Sequence, residues 1–228
     1  MAARPLPAPF PVWLISVPDQ PRQELSRLLS ASERARADRF RTSDLRHRYW
    51  AAHGALRLLG ECYFGIPAIR QSYVPNRYGK LQLIDVEAAQ CSISYTGQQV
   101  LVAWSQGAAI GIDAELVRPI GETRDLMQLH CTQREQAFLE RSAKDSAKLD
   151  RMFLTLWVRK EACVKALGRG LTISPSSFDC GIERATTVEI EGCSVDNEVM
   201  EVGEDILVAW ARCRHDLTAP PRPFGRYP

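Results

Sequence analysis

VLVAWS (Val100–Ser105) returns almost unchanged as ILVAWA (Ile206–Ala211), with Leu-Val-Ala-Trp identical in both. Each run reads as a strand buried on both faces. Leu101 and Leu207 lie 106 positions apart in a chain of 228, close to half its length. What precedes each copy also matches. SASE (Ser30–Glu33) and CTQRE (Cys131–Glu135) each open a helix. Ser30 with Glu33, and Thr132 with Glu135, have the spacing of a capping box, in which hydroxyl and carboxylate each satisfy a backbone N–H near the other. YWAAHGALRLLG (Tyr49–Gly60) and LWVRKEACVKALG (Leu156–Gly168) then read as longer packed helices. Both carry a Trp near the start and Leu-Gly at the end, where glycine is a common C-terminal cap. Three matches in one order predict an α+β chain of two similar α/β halves in tandem, residues 1–107 and 108–228. The join falls in SQGAAIG (Ser105–Gly111), too tight for a flexible linker. A ligand site is expected between two such halves.

Charge is spread unevenly along the chain. Residues 1–109 hold 13 Lys and Arg against 8 Asp and Glu, and residues 110–228 hold 16 against 19. A positive half and a negative half suit an anionic ligand with a bound cation. The net charge of only +2 makes no case for nucleic acid as partner. Seven cysteines, an odd number with no metal-ligand spacing, fit reduced thiols in a cytoplasmic protein. MAARPLPAPFPVWLISV (Met1–Val17) is punctuated by proline and does not read as a secretory leader. No stretch approaches the length of a membrane span.

WVRKEACVKALGRGL (Trp157–Leu171) begins as a helix in which Trp157, Val164 and Leu167 share an apolar stripe. Lys160, Glu161 and Lys165 interrupt it. Glu161 and Lys165 have the i,i+4 order of a solvent-facing pair, worth a few tenths of a kcal/mol. The other reading is a helix face turned toward a charged ligand. AIGIDAEL (Ala109–Leu116), read as a strand, puts Asp113 and Glu115 on one face. Side by side they repel unless a cation sits between them. Mg²⁺ suits such a pair, because it takes few protein carboxylates and completes its shell with water and phosphate oxygens. The alternative is an outward face of solvated acids.

Taken together, GIDAE and WVRKEACVK resemble the paired signature of the 4′-phosphopantetheinyl transferases, G-[VI]-D-x-E followed by W-x-x-K-E-A-x-x-K. The matching positions are Gly111, Ile112, Asp113, Glu115, Trp157, Lys160, Glu161, Ala162 and Lys165. The Trp…Lys-Glu-Ala form resembles one subgroup of the larger, surfactin-synthetase-activator type, a monomer of two halves related by pseudo-twofold symmetry. SERARADRFRTSDLRHRYWAAHGALR (Ser32–Arg57) is similar to that family's arginine-rich helices. YGK (Tyr78–Lys80) is similar to its Y-G-K-P motif, with Leu81 replacing the proline. CSISYTGQQVLVAW (Cys91–Trp104) stands in place of F-N-x-S-H-S: Ser94 is kept, and Tyr95 occupies the histidine position. The resemblance covers about residues 30–175.

The resemblance implies transfer of 4′-phosphopantetheine from coenzyme A to a serine of an apo acyl or peptidyl carrier protein, with release of 3′,5′-ADP. It implies Mg²⁺, with Mn²⁺ as the alternative ion, and a cytoplasmic monomer that engages neither nucleic acid nor membrane. Asp113, Glu115 and Glu161 are then expected at the metal, and Glu161 and Lys165 at the chemistry. Glu161 binds the ion directly or acts through a water that deprotonates the serine. Arg36 and Arg48 are expected at the 3′-phosphate, and Lys80, Ser94, Tyr95, Lys160 and Lys165 elsewhere on the coenzyme. The segment after GIDAE, with Arg118, Arg124 and Met127, is where a carrier would dock. Two other readings stay open: a noncatalytic coenzyme-A-binding relic of the same fold, and a metal-dependent phosphodiesterase.

Overall fold

A computed structural model describes residues 2–18, 23–181 and 183–214. The described chain divides into two units, one of residues 2–75 and 81–107, the other of 76–80 and 108–214. Both are mixed α/β with antiparallel sheets.

In the first unit, β1 (Ala3–Leu6) and β2 (Val12–Ser16) precede α1 (Gln23–Leu28), α2 (Ala31–Ala37) and α3 (Ser43–Phe64). Then come β3 (Tyr73–Pro75), β4 (Leu81–Leu83), β5 (Ala89–Thr96) and β6 (Gln99–Gln106). The main sheet has the order β1-β2-β6-β5, and β3 pairs with β4 in a small ribbon. VLVAW lies within β6, sealed from solvent. Alternation sends Val100, Val102 and Trp104 into a core shared with Ala51, Ala52, Ala55 and Leu56 of α3. The alanines let helix and sheet approach closely, and the Trp104 indole N–H donates to the Leu56 carbonyl at 3.2 Å. The capping box at Ser30 and Glu33 is complete. Gly60 does not end α3, contrary to its pattern. The helix runs on to Phe64 and stops at Gly65, whose φ of 71° is left-handed. Gly60 serves packing instead, since a Cβ there would lie 3.0 Å from Gln71 and 3.1 Å from the Trp104 ring.

The second unit runs β7 (Ile110–Leu116), α4 (Thr123–His130), α5 (Gln133–Ser142), α6 (Ser146–Leu167), β8 (Ala185–Ile190), β9 (Cys193–Val202) and β10 (Ile206–Cys213). Its sheet has the order β7-β10-β9-β8. Leu207, Ala209 and Ala211 of β10 face α6, joining Leu154, Val158, Ala162 and Ala166 in the core. The other side of α6 packs Phe153 and Leu156 against Met127 and Leu139. Thr132 and Glu135 complete the second capping box. Here α6 does end at its expected glycine, Gly168, in the left-handed region at φ 65°.

The turn between β3 and β4, residues 76–80, is part of the second unit. Asn76 Nδ2 donates to the Gly168 carbonyl at 2.8 Å. Lys80 Nζ donates to the carbonyls of Ile110 (2.9 Å), Lys165 (2.9 Å) and Ala166 (3.1 Å). An ammonium at the end of α6 satisfies carbonyls that the helix itself leaves without donors.

Candidate active site

β7 and α6 build the site between them. In the antiparallel register Gly111 pairs with Ala211, Asp113 with Ala209 and Glu115 with Leu207. Those partners on β10 face α6, so the acids of β7 face it too. Close approach depends on Gly111. A Cβ there would sit 2.0 Å from the Ala162 carbonyl oxygen and 2.4 Å from the Ala166 nitrogen. Only glycine lets the strand lie against the helix backbone at this point.

Along α6, Trp157, Glu161 and Lys165 are spaced four apart and stand in one row. All three are partly exposed, whereas Val158, Arg159, Lys160, Ala162, Cys163 and Val164 are buried. This row meets that of β7. Lys165 Nζ donates to Asp113 Oδ1 at 2.6 Å. Glu161 lies within electrostatic reach of Asp113, Lys165 and Glu115. Glu115 lies within electrostatic reach of Asp113, Arg118 and Lys165. Burial first, and then the charge of Asp113, raise the proton affinity of both Glu115 and Glu161. The site therefore carries more negative charge than Lys165 offsets. Among the described residues no three or more His, Cys, Asp or Glu form a closed metal cage. The chemistry of the donor set still fits Mg²⁺, a hard cation that needs only one or two protein carboxylates.

Two of the three lysines expected on the coenzyme, Lys160 and Lys80, have backbone and buried partners instead. Lys160 is 0% exposed. Its ammonium pairs with Glu135 Oε2 at 2.8 Å and donates to the carbonyls of Pro175 (2.7 Å) and Phe178 (2.6 Å). Those three bonds use every N–H it has. The step from Glu161 to Lys160 turns the side chain about 100° into the core. Lys80 likewise holds two carbonyls at the end of α6 and one at the start of β7.

In the first unit the Arg48 guanidinium lies over the Tyr95 ring, 5.7 Å from its centroid. The Nε atoms of Arg46 and Arg48 are shielded from solvent and have no hydrogen-bond acceptor among the described residues. Such donors are suited to an anion. Arg36 is exposed on α2. Ser94 is not brought to this group. It pairs with Leu101 in the register while Tyr95 pairs with Val100, so the two side chains take opposite faces of β5.

After β7, Arg118 and Arg124 are exposed. Asp150 of α6 fixes this segment by accepting from the Ile120 N–H at 3.2 Å and from the Thr123 hydroxyl. Met127, expected on the surface, is 2% exposed and belongs to the core. Leu129, at 64% exposure, is the apolar side chain that α4 presents. Sequence reasoning missed the close-approach role of Gly111 and Glu135 as the partner of Lys160. The signals were present in the motif glycine and in an acid of a capping box preceding a helix with an inward cation.

The family model described as the 4′-phosphopantetheinyl transferase superfamily matches residues 109–214. The chain is 33% identical over 166 residues to the 4′-phosphopantetheinyl transferase HetI of Nostoc sp., covering 70% of this chain and 69% of that protein. It is 26% identical over 163 residues to the 4′-phosphopantetheinyl transferase Sfp of Bacillus subtilis strain 168, covering 72% and 70%. Against the 4′-phosphopantetheinyl transferase ffp of Bacillus subtilis it is 26% identical over 200 residues, covering 84% and 87%.

Proposed function

The chain belongs to the 4′-phosphopantetheinyl transferase superfamily, and from that premise we propose that it carries the 4′-phosphopantetheine group of coenzyme A to a serine of an apo acyl or peptidyl carrier protein. The reaction depends on Mg²⁺, or Mn²⁺ in its place, and releases 3′,5′-ADP. The observation that carries this reading is the facing of Asp113 and Glu115 on β7 with Glu161 and Lys165 on α6.

Asp113, Glu115 and Glu161 are the residues that would hold the ion. When bound, it would offset charge on the pyrophosphate as the leaving oxygen becomes negative. Lys165 brings a positive charge to the same phosphate. Glu161 takes the serine proton in this reading, directly or through a water. The remaining catalysis is positioning, as expected for phosphoryl-type transfer. Arg48 binds the 3′-phosphate through its waiting Nε, with Arg36 and the Tyr95 hydroxyl assisting. Residues 1–107 thus serve the nucleotide end and 108–228 the chemistry. Arg118 and Arg124, with the exposed Leu129, meet an acidic carrier surface.

We further read the two units as duplicated halves related by pseudo-twofold symmetry. The repeated order of elements supports this, as do the twin capping boxes. In this reading the protein is a cytoplasmic monomer. All seven cysteines as thiols are compatible with a reducing compartment. A noncatalytic coenzyme A binder is the second reading, favoured by Tyr95 where the family has histidine.

One experiment separates the readings by mass: the protein is incubated with coenzyme A, Mg²⁺ and a panel of apo carrier domains. A carrier that gains the phosphopantetheine mass supports the transferase. Free phosphopantetheine would mean hydrolysis, and intact coenzyme A retained by the protein would mean a relic.

A further inference from the structure

We propose that Lys80 is a positioning residue: its ammonium fixes the backbone on both sides of the Lys165–Asp113 pair, and it acts on turnover through that pair. The inference deepens the transferase reading given above and rests on it. The turn that carries Lys80 is built around Asn76. Asn76 Oδ1 accepts from the N–H groups of Tyr78 (2.9 Å) and Lys80 (3.0 Å), and the Asn76 N–H donates to the Lys80 carbonyl at 2.8 Å. Gly79 bends the chain at a φ of 91°, in the left-handed region that favours glycine. Asn76 Nδ2 then anchors the turn on the Gly168 carbonyl at 2.8 Å.

From this anchored turn the Lys80 stem passes over Gly168. A Cβ there would lie 2.8 Å from Lys80 Cδ, so the glycine that caps α6 also leaves room for the lysine. An ammonium has three N–H groups. Those of Lys80 donate to the carbonyls of Lys165 (2.9 Å), Ala166 (3.1 Å) and Ile110 (2.9 Å). The first two lie in the last turn of α6, where the helix supplies no donor. The third lies on an edge strand, because β7 ends its sheet. The Ala109 carbonyl takes the Cys213 N–H at 2.9 Å, so by alternation the Ile110 carbonyl points away from β10. The ladder leaves that carbonyl to another donor. One cation thus joins the end of the helix to the start of the strand beside Gly111. Asp113 stands three residues on from Ile110, and Lys165 Nζ meets its Oδ1 at 2.6 Å. Lys165 is therefore held twice, its carbonyl by Lys80 and its ammonium by Asp113. A shift of either backbone misplaces that ammonium, and a displacement of about 1 Å costs on the order of 100-fold in rate.

Lys80→Met keeps most of the stem and removes the ammonium. Coenzyme A is titrated into wild type and variant by calorimetry, with no carrier and no metal present. Turnover is measured on an apo carrier domain that the wild type modifies, and urea unfolding fixes conditions in which every protein is folded. The expected result is turnover about 100-fold lower, with the Kd for coenzyme A unchanged. In a Lys165→Met background the same substitution should lower the residual turnover far less, because the group it positions is gone. A Kd that rises while turnover holds would make Lys80 a coenzyme ligand and overturn the proposal. Equal fold losses in both backgrounds, or lower stability with normal turnover, would reduce Lys80 to a packing residue and overturn it too. In each of these cases the wild type transfers, so the transferase reading stands. A wild type that modifies no carrier would remove both. If Lys80→Met fails to fold, Asn76→Asp keeps the acceptor of the turn and loses the donor to Gly168; the same measurements on it should show turnover falling at unchanged Kd.

Discussion

Gly111 shows how much a single missing methyl group decides. With a Cβ 2.0 Å from the Ala162 carbonyl oxygen, Gly111→Ala must push β7 away from α6. Overpacking of this kind costs roughly 1–3 kcal/mol, and the contact is with backbone, which yields little. The variant should lose stability in urea unfolding and lose transfer more steeply, because Asp113 and Glu115 move with the strand. Arg48 makes a different prediction. Its shielded Nε lacks an acceptor among the described residues, and a bond to a charged group is worth roughly 1.5–3 kcal/mol. Arg48→Ala should therefore weaken coenzyme A about 10- to 150-fold by the usual conversion, and leave 3′-dephospho-coenzyme A nearly unchanged. Kinetics with both donors checks this, and equal losses would place Arg48 elsewhere. That Asp113 and Glu115 share a face, and Glu161 and Lys165 another, was legible from spacing, because alternation on a strand and the i,i+4 step on a helix fix their faces; that they belong to one site came from the resemblance. Met127 was not, because spacing does not say which face of α4 the next helices cover.

At the scale of elements, the two long helices are each held by a buried cation on a capping-box glutamate. In the first unit Arg57, 1% exposed, bonds Glu33 Oε2 at 3.0 and 2.6 Å and reaches the carbonyls of Ala68 and Gln71. In the second, Lys160 bonds Glu135 and the carbonyls of Pro175 and Phe178. Both tie the start of a short helix, and the segment after a long one, to the long helix between them. Breaking such a pair from one side leaves a buried charge and costs roughly 3–5 kcal/mol. Lys160→Met should lower stability by about that amount. In the protein that remains folded, the KM for coenzyme A should be unchanged. Unfolding in urea alongside steady-state kinetics decides it, since a phosphate ligand at this position would raise KM instead. The helices themselves were readable. The end of α3 was not, because Gly60 is held within the helix by its fit to Trp104 and Gln71.

For the whole molecule, the Glu33 network sets a response to acid. Burial alone would raise the Glu33 pKa, but hydrogen bonds from His53, the Ser30 N–H and Arg57 outweigh it and lower it from 4.5 to about 2. A depressed carboxylate stabilises the fold above its unfolded pKa, and that contribution is lost as pH falls through the folded one. The window runs from about 4.5 down to about 2, and the contribution is about 3 kcal/mol. Glu33→Gln leaves Arg57 without its anion. It should be far less stable than wild type near neutral pH, with the gap narrowing across that window. Denaturant unfolding of both proteins at a series of pH values tests this. A gap that widened in acid would mean that Glu33 is already protonated in the native state.

The sequence by itself determined the mixed α/β character, the two capping boxes, the LVAW strands and the acids of the candidate site. These are local facts, set by periods of 2 and 3.6 residues and by side chains reaching backbone three positions away. Only the tertiary structure decided which cations stand beside the β7 acids and which are sealed on carbonyls. Lys160 and Lys165 sit in one motif, yet one is sealed against Glu135 and the other lies beside Asp113. Lys80 follows a turn glycine, yet it ends on the carbonyls of a helix 85 residues away. A lysine's charge can be read from the chain. Its partner depends on what packs around it, and here those partners come from segments distant in sequence.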